Sequence, residues 1–263
     1  MGFIRDPAAD TAAKAAPELG KPGRTAPAPA AKPAVASATR VSSTPSSAYH
    51  PPSDPSGHPS AEAVAACASL PALEQVSKGC LACPLGPGRL NFVFGEGNPR
   101  ADLMFIGEGP GRDEDLQGRP FVGKAGELLD KMVGALGLKR EDVYIANVVK
   151  CRPPDNRTPT PQEAGACLGY LHRQIQLVKP RVIITLGATP LRELLGITTG
   201  ITRVRGQWQR LGETPVMPTF HPAYVLRQYT QDVRRAVWED LKAAKKWADD
   251  AGAGAGSPEI LPD

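Results

Sequence analysis

"RVIITLGATP", residues 181–190, holds five apolar or β-branched residues in a row (Val182 to Leu186), then Gly187 and, after Ala188, a Thr-Pro pair. Stiff, branched side chains favour a pleated strand, and Thr-Pro is a common opening for a helix. A strand with no polar face must be covered on both sides, and a strand feeding directly into a helix belongs to a parallel sheet. Working outward, three more runs have the same character: "ADLMFIG" (101–107), "DVYIANVV" (142–149) and "TPVMPTF" (214–220), the last weakened by two prolines.

Helical patterns separate these runs. Leu128, Leu129, Met132, Val133 and Leu136 make one apolar face over 124–137. The segment 161–178 begins with a capping box, Thr160 and Glu163 around Pro161. Thr189 is expected to cap a third helix in the same way, and 232–248 places Val233, Val237, Leu241, Ala244 and Ala248 on one side. The sequence therefore predicts an α/β protein, a three-layer α/β/α sandwich around a central four-stranded, mainly parallel sheet.

Ligands in such sheets bind beyond the carboxyl ends of the strands. Here those ends run into "GEGPG", "NVVKCRPP", "LGATP" and "FHPAYVLR", which bring polar and cationic groups to one rim. The first continues into a glycine-rich loop, "GEGPGRDEDLQGRPFVGKAG" (107–126). Gly118, Gly123 and Lys124 have the spacing of a phosphate-binding loop, but Ala125 stands where magnesium needs Ser or Thr. Pro120 and Phe121 replace small residues, and Glu108, Asp113, Glu114 and Asp115 would repel a triphosphate. Gly107, Gly109 and Gly111 also miss the dinucleotide spacing. What remains is a tightly bending backbone presenting one aromatic ring, suited to a flat, uncharged ligand such as a nucleobase.

Of five cysteines, Cys80 and Cys83 form a C-x-x-C, while Cys151 follows the second strand and Cys167 lies in the capped helix. Four thiolates suit either tetrahedral zinc or a [4Fe–4S] cluster, and spacing does not separate the two. Cys67 reads as a free thiol. Residues 1–60 hold 11 prolines and 14 alanines with almost no large apolar residue, so 1–65 is expected to be a disordered tail, 66–248 the folded domain and 249–263 a second loose end. With no signal-like or membrane-spanning run, a cytoplasmic protein is expected, and a monomer; the net charge of +4 permits nucleic-acid binding without establishing it.

"GEGPGRDEDLQGRPFVGKAG", "NVVKCRPP" and "FHPAYVLR", with four cysteines in this order, closely resemble the family 4 uracil-DNA glycosylases over about residues 70–247. The resemblance implies a monofunctional hydrolase that flips deoxyuridine out of single- or double-stranded DNA and releases uracil. It also implies a [4Fe–4S] cluster on Cys80, Cys83, Cys151 and Cys167. Phe121 would stack on the base, Asn147 would read its edge and His221 would donate to O2; Glu114 would exclude a thymine methyl. Gly107 and Gly109 would line the base site. Gly109 stands where family 1 enzymes place the Asp that positions water, so leaving-group stabilisation would carry the mechanism. Water would be held mainly by backbone groups of this loop, with the adjacent Glu108 as a candidate catalytic acid. Tyr224, Val225 or Leu226 would wedge into the duplex, with Arg227, Arg203, Arg205 and Arg210 on phosphates and Arg152 in support. "KCRPPDNRTPTPQE" lacks the inserted basic loop and histidine of the branch that bonds covalently to uracil. The rivals are a non-catalytic lesion-sensing protein on the same fold and a cluster-based electron carrier.

Overall fold

A computed structural model describes residues 57–252. Three short helices, α1 (Ala61–Ala66), α2 (Leu70–Ser77) and α3 (Leu85–Gly88), lead into a six-stranded sheet. Its strands are β1 (Glu96–Gly97), β2 (Leu103–Gly107), β3 (Tyr144–Asn147), β4 (Val182–Leu186), β5 (Gln209–Leu211) and β6 (Thr214–Thr219), in the order β1-β3-β2-β4-β6-β5. The inner four are the expected parallel strands, β3-β2-β4-β6. The expected four-stranded sheet is corrected to six by antiparallel edge strands β1 and β5, only two and three residues long. Strands that short carry no periodicity to read.

Pro218 sits in an inner strand because β5 pairs only with Thr214–Val216. Beyond that point the outer edge of β6 is open, and the Pro218 carbonyl accepts from Gly206 N at 2.9 Å. The missing N–H on that same edge therefore costs no ladder bond.

Helices α4 (Arg112–Gln117), α5 (Lys124–Ala135), α6 (Pro161–Val178), α7 (Ala188–Leu195), α8 (Ile201–Val204), α9 (Pro222–Arg227) and α10 (Gln231–Gly252) complete the chain. Successive side chains of β2 divide between two cores, Met104 and Ile106 on one face, Leu103 and Phe105 on the other. α1, α2 and α6 cover the first face, and α5, α9 and α10 the second, which makes the three layers. α6 starts at the expected box: Glu163 N donates to Thr160 Oγ1 at 3.2 Å and Thr160 N to Glu163 Oε2 at 2.8 Å.

α1 lies ahead of the expected boundary at 66 and packs on α6 through the buried Val64. Ser60 caps it, but one large apolar residue among four alanines gives no readable face. The expected tails lie outside the described residues up to 56 and from 253. Among the described residues no helix is long and apolar enough to cross a membrane.

Candidate active site

A cavity of about 810 Å³ opens at the carboxyl ends of β2, β3, β4 and β6. Each strand delivers one part of its wall. Glu108 follows β2, Asn147 ends β3, Gly187 follows β4, and His221 lies just beyond β6. Phe121 enters from the glycine-rich loop, its ring centroid 5.6 Å from that of His221. The three side chains predicted to meet a base thus share one cavity.

The loop is built to hold Phe121 there. Phe121 has φ +50°, a left-handed conformation that is costly for a bulky residue. Glu114 braces it, one carboxyl oxygen accepting from Val122 N (2.9 Å) and Gly123 N (3.0 Å), the other from Gly111 N (3.0 Å). Gly126 makes room for it, since a Cβ there would lie 1.9 Å from the Phe121 carbonyl oxygen. Gly107, the buried last residue of β2, is not itself part of the cavity lining but has a similar part behind it: its Cβ would fall 2.5 Å from both Asn147 Oδ1 and Phe121 Cζ. Gly126→Ala is expected to destabilise the fold by roughly 1–3 kcal/mol, as overpacking does, and to displace the aromatic plate. Thermal melting beside uracil release checks this, and wild-type values in both would contradict it.

Asn147 is buried at 1% exposure, and its Oδ1 has no hydrogen-bond partner. A buried orphan acceptor costs on the order of 1–3 kcal/mol, so one that persists at a cavity wall is a marker of a ligand. His221 caps α9: its Nδ1 accepts from Ala223 N at 3.1 Å. That bond requires an unprotonated Nδ1, which leaves Nε2 as the N–H donor. Burial, with Arg227 nearby and Glu114 opposing, lowers its pKa to about 4. The imidazole is therefore a neutral donor at physiological pH. Gly187, at φ +91°, lets it approach, since a Cβ there would come within 3.3 Å of His221 Cβ.

Other expectations fare unequally. Val225 is fully buried in the core, so it is unavailable as a wedge, whereas Leu226 is 41% exposed. Tyr224 lines the cavity and stacks on Phe220 at 4.8 Å. Arg205 is no phosphate hand: its guanidinium forks onto the buried Asp240, with Nε 2.8 Å from Oδ2, and it also donates to Ala236 O. Its isolated sequence position gave no hint of a partner 35 residues away. Arg227 is exposed at the cavity rim, joined by Lys124 and by Arg112 and Arg192, the last two not singled out from sequence. Arg203 and Arg210 are exposed, and Arg152 donates to Asn156 Oδ1 at 2.8 Å. Thr189 does not cap α7, a position taken by Gly187. Gly109 lines the cavity, where a Cβ would meet Val149 at 2.7 Å.

Behind Asn147, Cys80, Cys151 and Cys167 are buried in the first core, with Cys83 packed against it; all are free thiols. Arg89 Nη1 donates to Cys151 Sγ at 3.4 Å. Burial pushes the Cys151 thiol up to about 11 and that of Cys167 to about 12. Lys150, also unforeseen, is fully buried and donates to Asn147 O (2.8 Å) and Gln174 Oε1 (2.6 Å), tying the end of β3 to α6. Cys67 donates to Ala63 O at 3.2 Å. Among the described residues no group of three or more His, Cys, Asp or Glu is arranged to hold a metal ion.

Residues 94–242 match the uracil DNA glycosylase superfamily. A type-4 uracil-DNA glycosylase of Thermotoga maritima is 51% identical over 183 residues, covering 68% of this chain and 94% of the relative. Type-4 enzymes of Archaeoglobus fulgidus and Sulfurisphaera tokodaii are 45% and 43% identical, over 62% and 68% of this chain and 85% of each relative. With an aromatic plate, an orphan amide and a neutral imidazole around one cavity, the chain belongs to the uracil-DNA glycosylase superfamily and, within it, to the type-4 family.

Proposed function

We propose that the protein flips deoxyuridine out of DNA and hydrolyses its N-glycosidic bond, releasing uracil and leaving an abasic site. The observation that carries this reading is the unpartnered Asn147 Oδ1 beside the Phe121 ring. Uracil offers N3–H to that acceptor and O4 to the amide N–H, while cytosine offers the reverse pattern. Stacked on Phe121, the base would turn O2 toward His221 Nε2–H. As C1′–N1 breaks, the bonding pair moves onto the uracil ring and its O2, where a fixed donor in a water-poor pocket is worth most. Water adds to C1′, its proton passing to Glu108 and from there to solvent or to the leaving base. Glu114, by this reading, excludes a 5-methyl group while bracing the loop. Leu226 is the wedge, and Arg227 with its basic neighbours at the rim takes phosphates.

The thiols of Cys80, Cys83, Cys151 and Cys167 are also read as ligands. A donor set made only of thiols, three of them buried and Cys83 half-buried, with Arg89 and Lys150 beside them, fits a [4Fe–4S] cluster. When bound, the cluster would supply structural cross-linking of α6 to the segment after Asn147. The protein is taken to work as a cytoplasmic monomer.

The test is incubation with uracil-containing single- and double-stranded oligonucleotides, followed by alkaline cleavage. Strand scission at uracil and none at thymine or cytosine is expected. Tight DNA binding without scission would favour a lesion sensor instead.

A further inference from the structure

We propose that Thr189 is a positioning residue that aims Glu108 at the sugar side of the cavity. The inference rests on the uracil-releasing reading above and deepens it. Glu108 follows Gly107 directly, and its backbone carbonyl accepts from Val149 N at 3.1 Å, so its main chain is fixed as an extension of the β2–β3 pairing. Its side chain still has three rotatable bonds. The hydrogen bond that restrains it is from Thr189 Oγ1 to Glu108 Oε2, at 2.5 Å, the short range of a hydroxyl donating to a carboxylate.

Thr189 is suited to hold another group still. It is buried, β-branched and therefore stiff at χ1, and sits in the first turn of α7 beside Leu191, whose side chain is fully buried. A threonine there would ordinarily cap its own helix or bond back to a local carbonyl. Here Gly187 takes the cap position, and the hydroxyl reaches instead across the sheet from the β4 end to the β2 end. Both residues line the cavity that holds His221 and Phe121. With Oε2 engaged, Oε1 is the oxygen left to accept a proton from water.

Isosteric Thr189→Val removes the hydroxyl and keeps the shape. It is expected to lower the single-turnover rate of uracil release by roughly tenfold, in line with the cost of misplacing a catalytic group, and to leave DNA affinity unchanged. Thr189→Ser, which keeps the donor, is expected to restore most of the rate. Glu108→Gln is expected to cost about a hundredfold, and Thr189→Val added to it nothing further, because the two act as one unit. A wild-type rate for Thr189→Val, or losses that multiply in the double variant, would overturn the inference. Should Thr189→Val fail to fold, Thr189→Ser against Thr189→Ala makes the same comparison. A wild-type protein inert on uracil would overturn both this and the parent reading; an active one with an unaffected Thr189→Val would overturn only this.

Discussion

His221→Ala is expected to slow uracil release by roughly 10²–10³-fold, equivalent to about 3–4 kcal/mol of lost transition-state stabilisation, while changing DNA affinity little. The asymmetry follows from what the imidazole meets. His221 lines the cavity and Arg227 its rim; in the proposed mechanism Nε2–H donates to the leaving base, where charge grows, and the DNA backbone is held elsewhere, at the basic rim. Equal losses of rate and affinity would mean that His221 only docks DNA. Protonation state sharpens the test. With a pKa near 4 in the fold, against about 6.5 for an unperturbed histidine, the group stays neutral throughout the range from pH 8 to 5. The wild-type rate should therefore not rise as pH falls through that range, as it would if an imidazolium were the donor. Stability, by contrast, depends on pH through this group. Between the two pKa values the unfolded chain binds more protons than the native one, so this histidine's share of stability is complete above about pH 6.5 and is lost as pH falls toward 4. A His221→Ala variant should lose less stability on acidification than the wild type.

Asn147→Ala carries the second large effect, with activity and stability moving apart. Loss of the base-reading amide is expected to cost roughly 10²–10³-fold in rate, since a site built to hydrogen-bond a group depends strongly on that pairing. The unpartnered Oδ1 is, however, a standing penalty on the free protein. Its removal offsets the small cavity left by truncation, so the melting temperature should stay within a few degrees of wild type. A large fall in melting temperature would show that Asn147 is a structural asparagine satisfying its own neighbourhood.

The parallel inner sheet was readable because Val182–Leu186 and Leu103–Gly107 are apolar on both faces, a pattern only a covered sheet explains. The α6 cap was readable because Thr160 and Glu163 act within one turn. The meeting of Phe121, Asn147 and His221 followed from the rule that strand ends converge, although 100 residues separate the first from the last. Features that depend on distant partners were hidden. Arg205 looked like a surface cation until Asp240 of α10 was seen behind it, and Val225 shares a short motif with Leu226 yet points into the core. Thr189 read as a helix cap because local rules favour that use, and its bond to Glu108 belongs to the tertiary fold. Gly126 had a legible signal, the second glycine in "GKAG", but its reason is the left-handed Phe121 five residues earlier.

Phe121, Asn147 and His221 are assigned to one pyrimidine-sized space, and a crystal structure of the protein soaked with free uracil is the decisive experiment. The ring is expected to lie on Phe121, with N3–H and O4 on the Asn147 amide and O2 toward His221 Nε2. Uracil bound away from these three side chains, or density in the cavity with Asn147 Oδ1 still unpaired, would contradict it.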